Sequence, residues 1–189
     1  MKKTAIVAAA AAAALAAPSV ASAHVTVNPR TAEPGAFTVM TVRVPNERDD
    51  KGTVKVDLRL PDGFYFLSYK KVHGWTVKLT KEELDPPARL DGFSVDQQIT
   101  RVVWKGNAKQ GAIIGPDQFE EFPLSVRVPD GKPGDELVFG AIQTYKGGEK
   151  VRWTGAPGSD APAPRVTLVA PAPATAALAG KPAAALLGA

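Results

Sequence analysis

The chain has 189 residues, 23 of them Lys or Arg and 19 Asp or Glu, for a formal net charge of +4. It contains no cysteine, which excludes disulfides, thiolate metal sites, cysteine nucleophiles and a lipid anchor on cysteine. Its basic residues are scattered rather than run together, so the charged stripe that a nucleic-acid partner needs is missing and no nucleic acid is expected.

The first 23 residues read as a cleavable export signal. Lys2 and Lys3 give a positive start, Ala5 to Ala17 an apolar stretch, and Ala21-Ser22-Ala23 a small-residue cutting site. Cleavage after Ala23 places the mature chain outside the cytoplasm, secreted or in the cell envelope. It leaves 166 residues, enough for one domain with a self-supporting core. Two of the 23 basic residues leave with the signal, so the remaining charge is about +2. Cleavage also makes His24 the first residue. A first-residue histidine carries an α-amine beside an imidazole, and the two nitrogens together chelate a metal ion. Cu(II), which prefers nitrogen and oxygen donors in a tetragonal plane, suits that pair. Some residue must follow any cut, however, and these residues alone leave a metal role and coincidence equally open.

From His24 onward the apolar period is two. Residues 24–28 alternate as a first strand, which would hold the chain start against a sheet. Within 36–45, Met40, Val42 and Val44 alternate with Thr41 and Arg43. Within 53–60, Val54, Val56, Leu58 and Leu60 alternate with Lys55, Asp57 and Arg59. Further strands are expected near 64–69, 73–80, 98–105, 118–128, 136–145, 149–154 and 164–169, with Trp75 and Trp104 on apolar faces. Pro34-Gly35, Pro61-Asp62-Gly63, Gly115-Pro116-Asp117, Pro129-Asp130-Gly131 and Gly147-Gly148 punctuate them as turns. Residues 81–97, charged and interrupted by Pro86-Pro87, read as an excursion, a long hairpin loop. Short half-buried strands at this spacing predict an all-β fold over 24–169, an immunoglobulin- or fibronectin-III-like antiparallel β-sandwich. Residues 170–189, rich in Ala, Pro and Gly with Lys181 as their one charge, read as a disordered tail. No segment after residue 23 offers the roughly 18 consecutive apolar residues of a membrane span.

The available chemistry is narrow. His24 and His73 are the two histidines, and the chain has no H-E-x-x-H or C-x-x-C metal motif, no G-x-S-x-G elbow and no Gly-rich phosphate loop. Hydrolase, zinc and nucleotide chemistries are disfavoured accordingly. A series of short motifs then falls in order: His24-Val25-Thr26-Val27-Asn28-Pro29, Pro34-Gly35, Val44-Pro45-Asn46-Glu47, Pro61-Asp62-Gly63-Phe64, Gly74-Trp75, Gly115-Pro116-Asp117-Gln118-Phe119 and Val151-Arg152-Trp153-Thr154-Gly155. On these the chain resembles the YcnI-like family of secreted bacterial copper-binding proteins, across about residues 24–169. The resemblance implies an immunoglobulin-like sandwich and a monohistidine brace. In such a brace the amine and a ring nitrogen of the first residue bind Cu(II), a glutamate completes the donors, and a tryptophan packs close by. Carried onto the matching positions, it makes His24 and Glu47 the metal ligands and Trp153 the metal-proximal aromatic. It further implies copper as the bound ion, copper trafficking outside the cytoplasm without catalysis, and a copper transporter or cuproprotein as partner.

Each residue also has a plainer reading. Glu47 follows Pro45 at a strand end and offers a hard oxygen donor, but a lone acid beside Arg48 is ordinarily a solvated loop residue. Trp153 would shield a metal and attract it through its ring face, yet aromatic residues commonly fill sandwich cores. Tyr145, near the Gly147-Gly148 turn, could donate from behind the site. Two other functions remain open: a copper-dependent oxidase of the polysaccharide type whose brace uses His24 and His73, and a metal-free cell-surface interaction module. His73, directly before Gly74-Trp75, otherwise reads as a turn or rim residue. Met40 is the one thioether in the mature chain, so capture of Cu(I) by soft ligands is poorly supported.

Overall fold

A computed structural model describes residues 24–171. The expected signal at 1–23, and residues 172–189 of the expected tail, lie outside the described residues. Strands run in chain order as β1 (Thr26–Asn28), β2 (Thr31–Ala32), β3 (Phe37–Pro45), β4 (Thr53–Arg59), β5 (Leu67–Tyr69), β6 (Trp75–Leu90), β7 (Phe93–Gly106), β8 (Phe119–Arg127), β9 (Glu136–Val138), β10 (Gly140–Tyr145), β11 (Lys150–Trp153) and β12 (Arg165–Leu168). They form a four-stranded sheet in the order β1-β3-β8-β5, a five-stranded sheet in the order β11-β10-β4-β7-β6, and a small sheet β2-β12-β9. Pairing is antiparallel except between β2 and β12. The period-two residues explain why these segments pair: Met40, Val42 and Val44 of β3 and Phe122, Leu124 and Val126 of β8 point inward and are buried. They meet Val56 and Leu58 of β4 and Val102 and Trp104 of β7 from the facing sheet. Each large apolar side chain so buried contributes about 1.5–3 kcal/mol.

The two sheets are held by aromatic packing. Phe122 lies between Trp75, edge-on at 5.0 Å, and Trp104 at 4.9 Å between ring centroids. Gly74 makes the first contact possible. Its φ of +72° turns the chain into β6, and a Cβ there would stand 2.6 Å from that of Ala112.

Several expected elements differ in the structure. Residues 81–97 are not a loop: β6 and β7 continue through them as one long hairpin, with Glu82 paired to Gln98 and Arg89 to Ser94. Pro86-Pro87, which lack N–H donors, fall within the irregularity between Glu83 and Ala88, where the ladder is interrupted. Asp91 and Gly92, both at positive φ, close the two-residue turn. The tip folds back onto the body, burying Leu90 and bringing Asp91 3.4 Å from Arg127. The single strand expected at 136–145 is two, in different sheets. Phe139 marks the crossover: its N–H donates to Pro164, and its buried ring packs 5.8 Å from Phe64. Residues 64–66 are likewise outside the ladder, because Phe64 is drawn into the core and pairing with β8 starts at Leu67.

Candidate metal centre

β1 and β11 are the outer strands of their respective sheets, so a side of the sandwich is left open between them. His24 stands just before β1. Continuing the β1–β3 register places it opposite Pro45. Val25 and Val27 are buried, which fixes the alternation and leaves His24 half-buried at the rim. Its ring meets Trp153, the last residue of β11, at 5.4 Å between centroids and a 53° tilt. Trp153 is wholly buried. Two residues distant in sequence thus meet across the edge of the sandwich.

Glu47 sits in the 46–52 loop that carries the chain from β3 to β4, and hence from one sheet to the other. The loop is tied down at many points. The Asn46 N–H donates to Gln118, and its side-chain amide donates to the Lys51 and Ile114 carbonyls, each at 2.9 Å. The Arg48 N–H donates back to Asn46 Oδ1 at 2.8 Å, making a tight turn around Glu47. Outside it, Arg48 and Lys51 both pair with Glu149 at 2.8 Å, and the Arg48 guanidinium lies 5.2 Å from the Tyr145 ring centre. Two hydrogen bonds from one buried amide complete the frame: Gln143 donates to the Pro45 carbonyl at 2.9 Å and accepts from the Trp153 indole at 3.1 Å.

The Glu47 carboxyl feels the charge of His24. Partial burial raises the Glu47 carboxyl above its usual range, and the positive charges of His24 and then Arg48 draw it part of the way back. A partly desolvated carboxylate is more basic than a solvated loop acid and gains more from a nearby cation. The buried Tyr145 hydroxyl is pushed up chiefly by burial. It lies near enough to the Glu47 backbone amide to be eased by it, yet outside the geometry of a full hydrogen bond.

His73 is not brought to this site. It precedes β6, which is the far edge of the five-stranded sheet from β11. Four inter-strand spacings separate those edges, about 19 Å. A brace built from His24 and His73 is therefore corrected by the topology: one ion does not span both rings. Trp75 and Trp104 are buried in the core, as their apolar faces suggested. Gln143 escapes a reading of the sequence because Ile142 and Thr144 beside it set the apolar phase ambiguously. The signal available is Tyr145 two residues on, since Ala141, Gln143 and Tyr145 share the inward face.

The family described as "Domain of unknown function (DUF1775)" matches residues 24–175. The "Copper-binding protein CutI" of Bacillus subtilis (strain 168) is 32% identical over 142 residues, which is 75% of this chain and 60% of that protein. The chain thus spans less than two thirds of that relative's length. A crystal structure of an uncharacterized protein from Nocardia farcinica, described as revealing an immunoglobulin-like fold, aligns with a TM-score of 0.61 at 27% identity, over 78% of this chain and 99% of that one. The fold here is the same immunoglobulin-like sandwich.

Proposed function

The chain belongs to the DUF1775, YcnI-like family, and from that premise we propose that it binds copper as cargo, as Cu(II), at the edge site of His24 and Glu47. The convergence of His24, Glu47 and Trp153 on one rim carries this reading, together with the copper-binding relative that shares about a third of the aligned residues. The donor set fits the ion. Among the described residues no three His, Asp or Glu side chains cluster, so side chains supply an imidazole and a carboxylate only. The third donor is the α-amine that cleavage after Ala23 would create. Two nitrogens and an oxygen suit Cu(II) and not the softer Cu(I). Trp153 closes one side of the site against water and offers a ring to the cation. The second histidine, His73, lies at the opposite edge of its sheet, which favours carriage of the ion over oxidative catalysis. The reading therefore extends to copper trafficking outside the cytoplasm, with a copper transporter or cuproprotein as the partner that gives or takes the ion.

The test is a Cu(II) titration of two proteins followed by calorimetry, one beginning at His24 with a free α-amine and one with that amine acetylated. Acetylation converts the amine into an amide nitrogen without adding a new amine donor. Tight binding is expected in the first and its loss in the second. Equal affinity in both would refute the brace.

A further inference from the structure

Gln143 is wholly buried in β10 and polar, a costly placement unless its hydrogen-bonding atoms are used. Its partners fix the amide orientation. The Trp153 indole only donates, so it meets Oε1, at 3.1 Å; the Pro45 carbonyl only accepts, so Nε2 donates to it, at 2.9 Å, and also to Thr53 Oγ1 at 2.7 Å. Exchanging the oxygen and nitrogen would set donor against donor at one end and acceptor against acceptor at the other.

The three partners frame the metal centre. Trp153 carries the ring against which His24 rests. Pro45 and Thr53 stand on either side of the 46–52 loop that holds Glu47. One side chain therefore ties the His24 support to both ends of the Glu47 loop. The backbone makes the Thr53 half of this link, through the β11–β10–β4 ladders, but β3 belongs to the other sheet, and the Gln143 side chain ties its Pro45 end to Trp153.

We propose that Gln143 is the positioning residue of the metal centre, setting the separation of the His24 imidazole and the Glu47 carboxylate so that one Cu(II) ion meets both without rearrangement. The inference rests on the copper reading above. Ordering the loop during folding spares the cost of ordering it when the ion arrives. Groups that hold ligands from behind change metal affinity about 10–100-fold when removed.

The experiment uses protein beginning at His24 and compares Gln143→Leu, Glu47→Gln, the double variant and Arg101→Met, by Cu(II) calorimetry and electron paramagnetic resonance. Gln143→Leu is expected to raise the Kd about 10–100-fold and to broaden the Cu(II) spectrum as the carboxylate loses its fixed place. In the Glu47→Gln background the same change is expected to add little, because the ligand it positions is already gone. Arg101→Met, which loosens the fold on the outer face of β7, keeps the parental affinity and spectrum. Gln143→Met, unbranched like glutamine, is measured alongside so that a folding defect in the leucine variant leaves the inference open to refutation. Parental affinity and spectrum in the Gln143 variants would overturn the inference alone. So would full additivity with Glu47→Gln, or equal weakening in Arg101→Met. If the parent itself fails to bind in a manner that depends on the His24 α-amine, the copper reading falls and takes the inference with it.

Discussion

Trp153→Phe separates two things that the indole does. An aromatic ring remains to face His24, while the N–H that holds Gln143 Oε1 is lost. Because Gln143 is wholly buried, its oxygen is then left without a donor, at a cost of about 1–3 kcal/mol. The smaller ring also leaves a gap on the order of 40 Å³, worth roughly 1 kcal/mol at the usual cavity coefficient. The sum, about 2–4 kcal/mol, is a large share of the roughly 5–15 kcal/mol that holds an ordinary domain together. For a domain of this size each kcal/mol moves Tm by about 2–4 °C, so a fall of roughly 5–15 °C is expected by circular dichroism. Emission provides a second readout. Trp75 and Trp104 pack on Phe122 within the core, whereas Trp153 is the tryptophan beside His24. Cu(II) is therefore expected to quench the parent strongly and the variant weakly, although calorimetry still records binding. A Tm within about 2 °C of the parent would refute the hydrogen-bond argument. Undiminished quenching would refute the placement of the ion beside Trp153.

On the copper reading, Glu47→Gln removes the charge of a partly desolvated carboxylate and is expected to weaken Cu(II) binding by about 30-fold or more, measured by calorimetry at constant pH. Asp57 offers a pH test of stability that involves none of the proposed metal ligands. Burial alone would raise its carboxyl, but hydrogen bonds and charge from Arg101, aided by Lys55, outweigh that and hold it below its ordinary value. A carboxyl depressed by folding stabilises the fold above its unfolded pKa, near 4, and that contribution is lost as pH falls through the folded value. Arg101→Met is thus expected to cost about 1–3 kcal/mol at pH 7, less than for a fully buried pair because the guanidinium is part-exposed, with the gap to the parent shrinking below about pH 4 in urea titrations. A gap that widens on acidification would contradict the assignment. Replacing residues 83–97 by a two-residue turn between the paired Glu82 and Gln98 removes the Leu90 and Asp91–Arg127 contacts but leaves the opposite edge intact. Stability is expected to fall and Cu(II) affinity to stay within about twofold of the parent, a difference too small to reflect a lost ligand.

How much of this is legible in the chain depends on whether the signal is local. Strands such as β3 and β8 bury one face and expose the other, so Met40-Val42-Val44 and Phe122-Leu124-Val126 announce themselves at period two. Along the distal arms of β6 and β7 most side chains are exposed, with Leu90 at the tip the exception, and charged residues and prolines interrupt the pattern. Apolar alternation vanishes there, so a paired hairpin reads as a loop. The crossover at Phe139 is invisible for the opposite reason: apolar residues continue through it, and only the change of partner strand divides β9 from β10. His24, Glu47 and Trp153 are identifiable through motif order. Their meeting is not, because it depends on two sheet edges that no spacing in the chain encodes.

The same edges explain why a site belongs here. Immunoglobulin domains commonly pin their two sheets with a disulfide beside a buried tryptophan. This chain has no cysteine and must join its sheets by other means. In the middle of the sandwich Phe122 does so between Trp75 and Trp104. At the open side the link is polar: Gln143 of one sheet donates to Pro45 of the other, and the His24 ring rests on Trp153. Open sheet edges are ordinarily a liability, because their unpaired backbone groups invite another strand. A half-buried carboxylate and an imidazole placed at that opening make it a polar mouth that a cation can close. On the copper reading, the bound ion adds a further cross-sheet tie at this opening, so loading is coupled to the stability of the edge itself. A ligand that binds only the folded form raises stability by RT ln(1 + [L]/Kd), about 2.7 kcal/mol at a hundredfold excess over Kd. The benefit is reciprocal: on the same reading, whatever loosens the β1–β11 side lowers the hold on the ion.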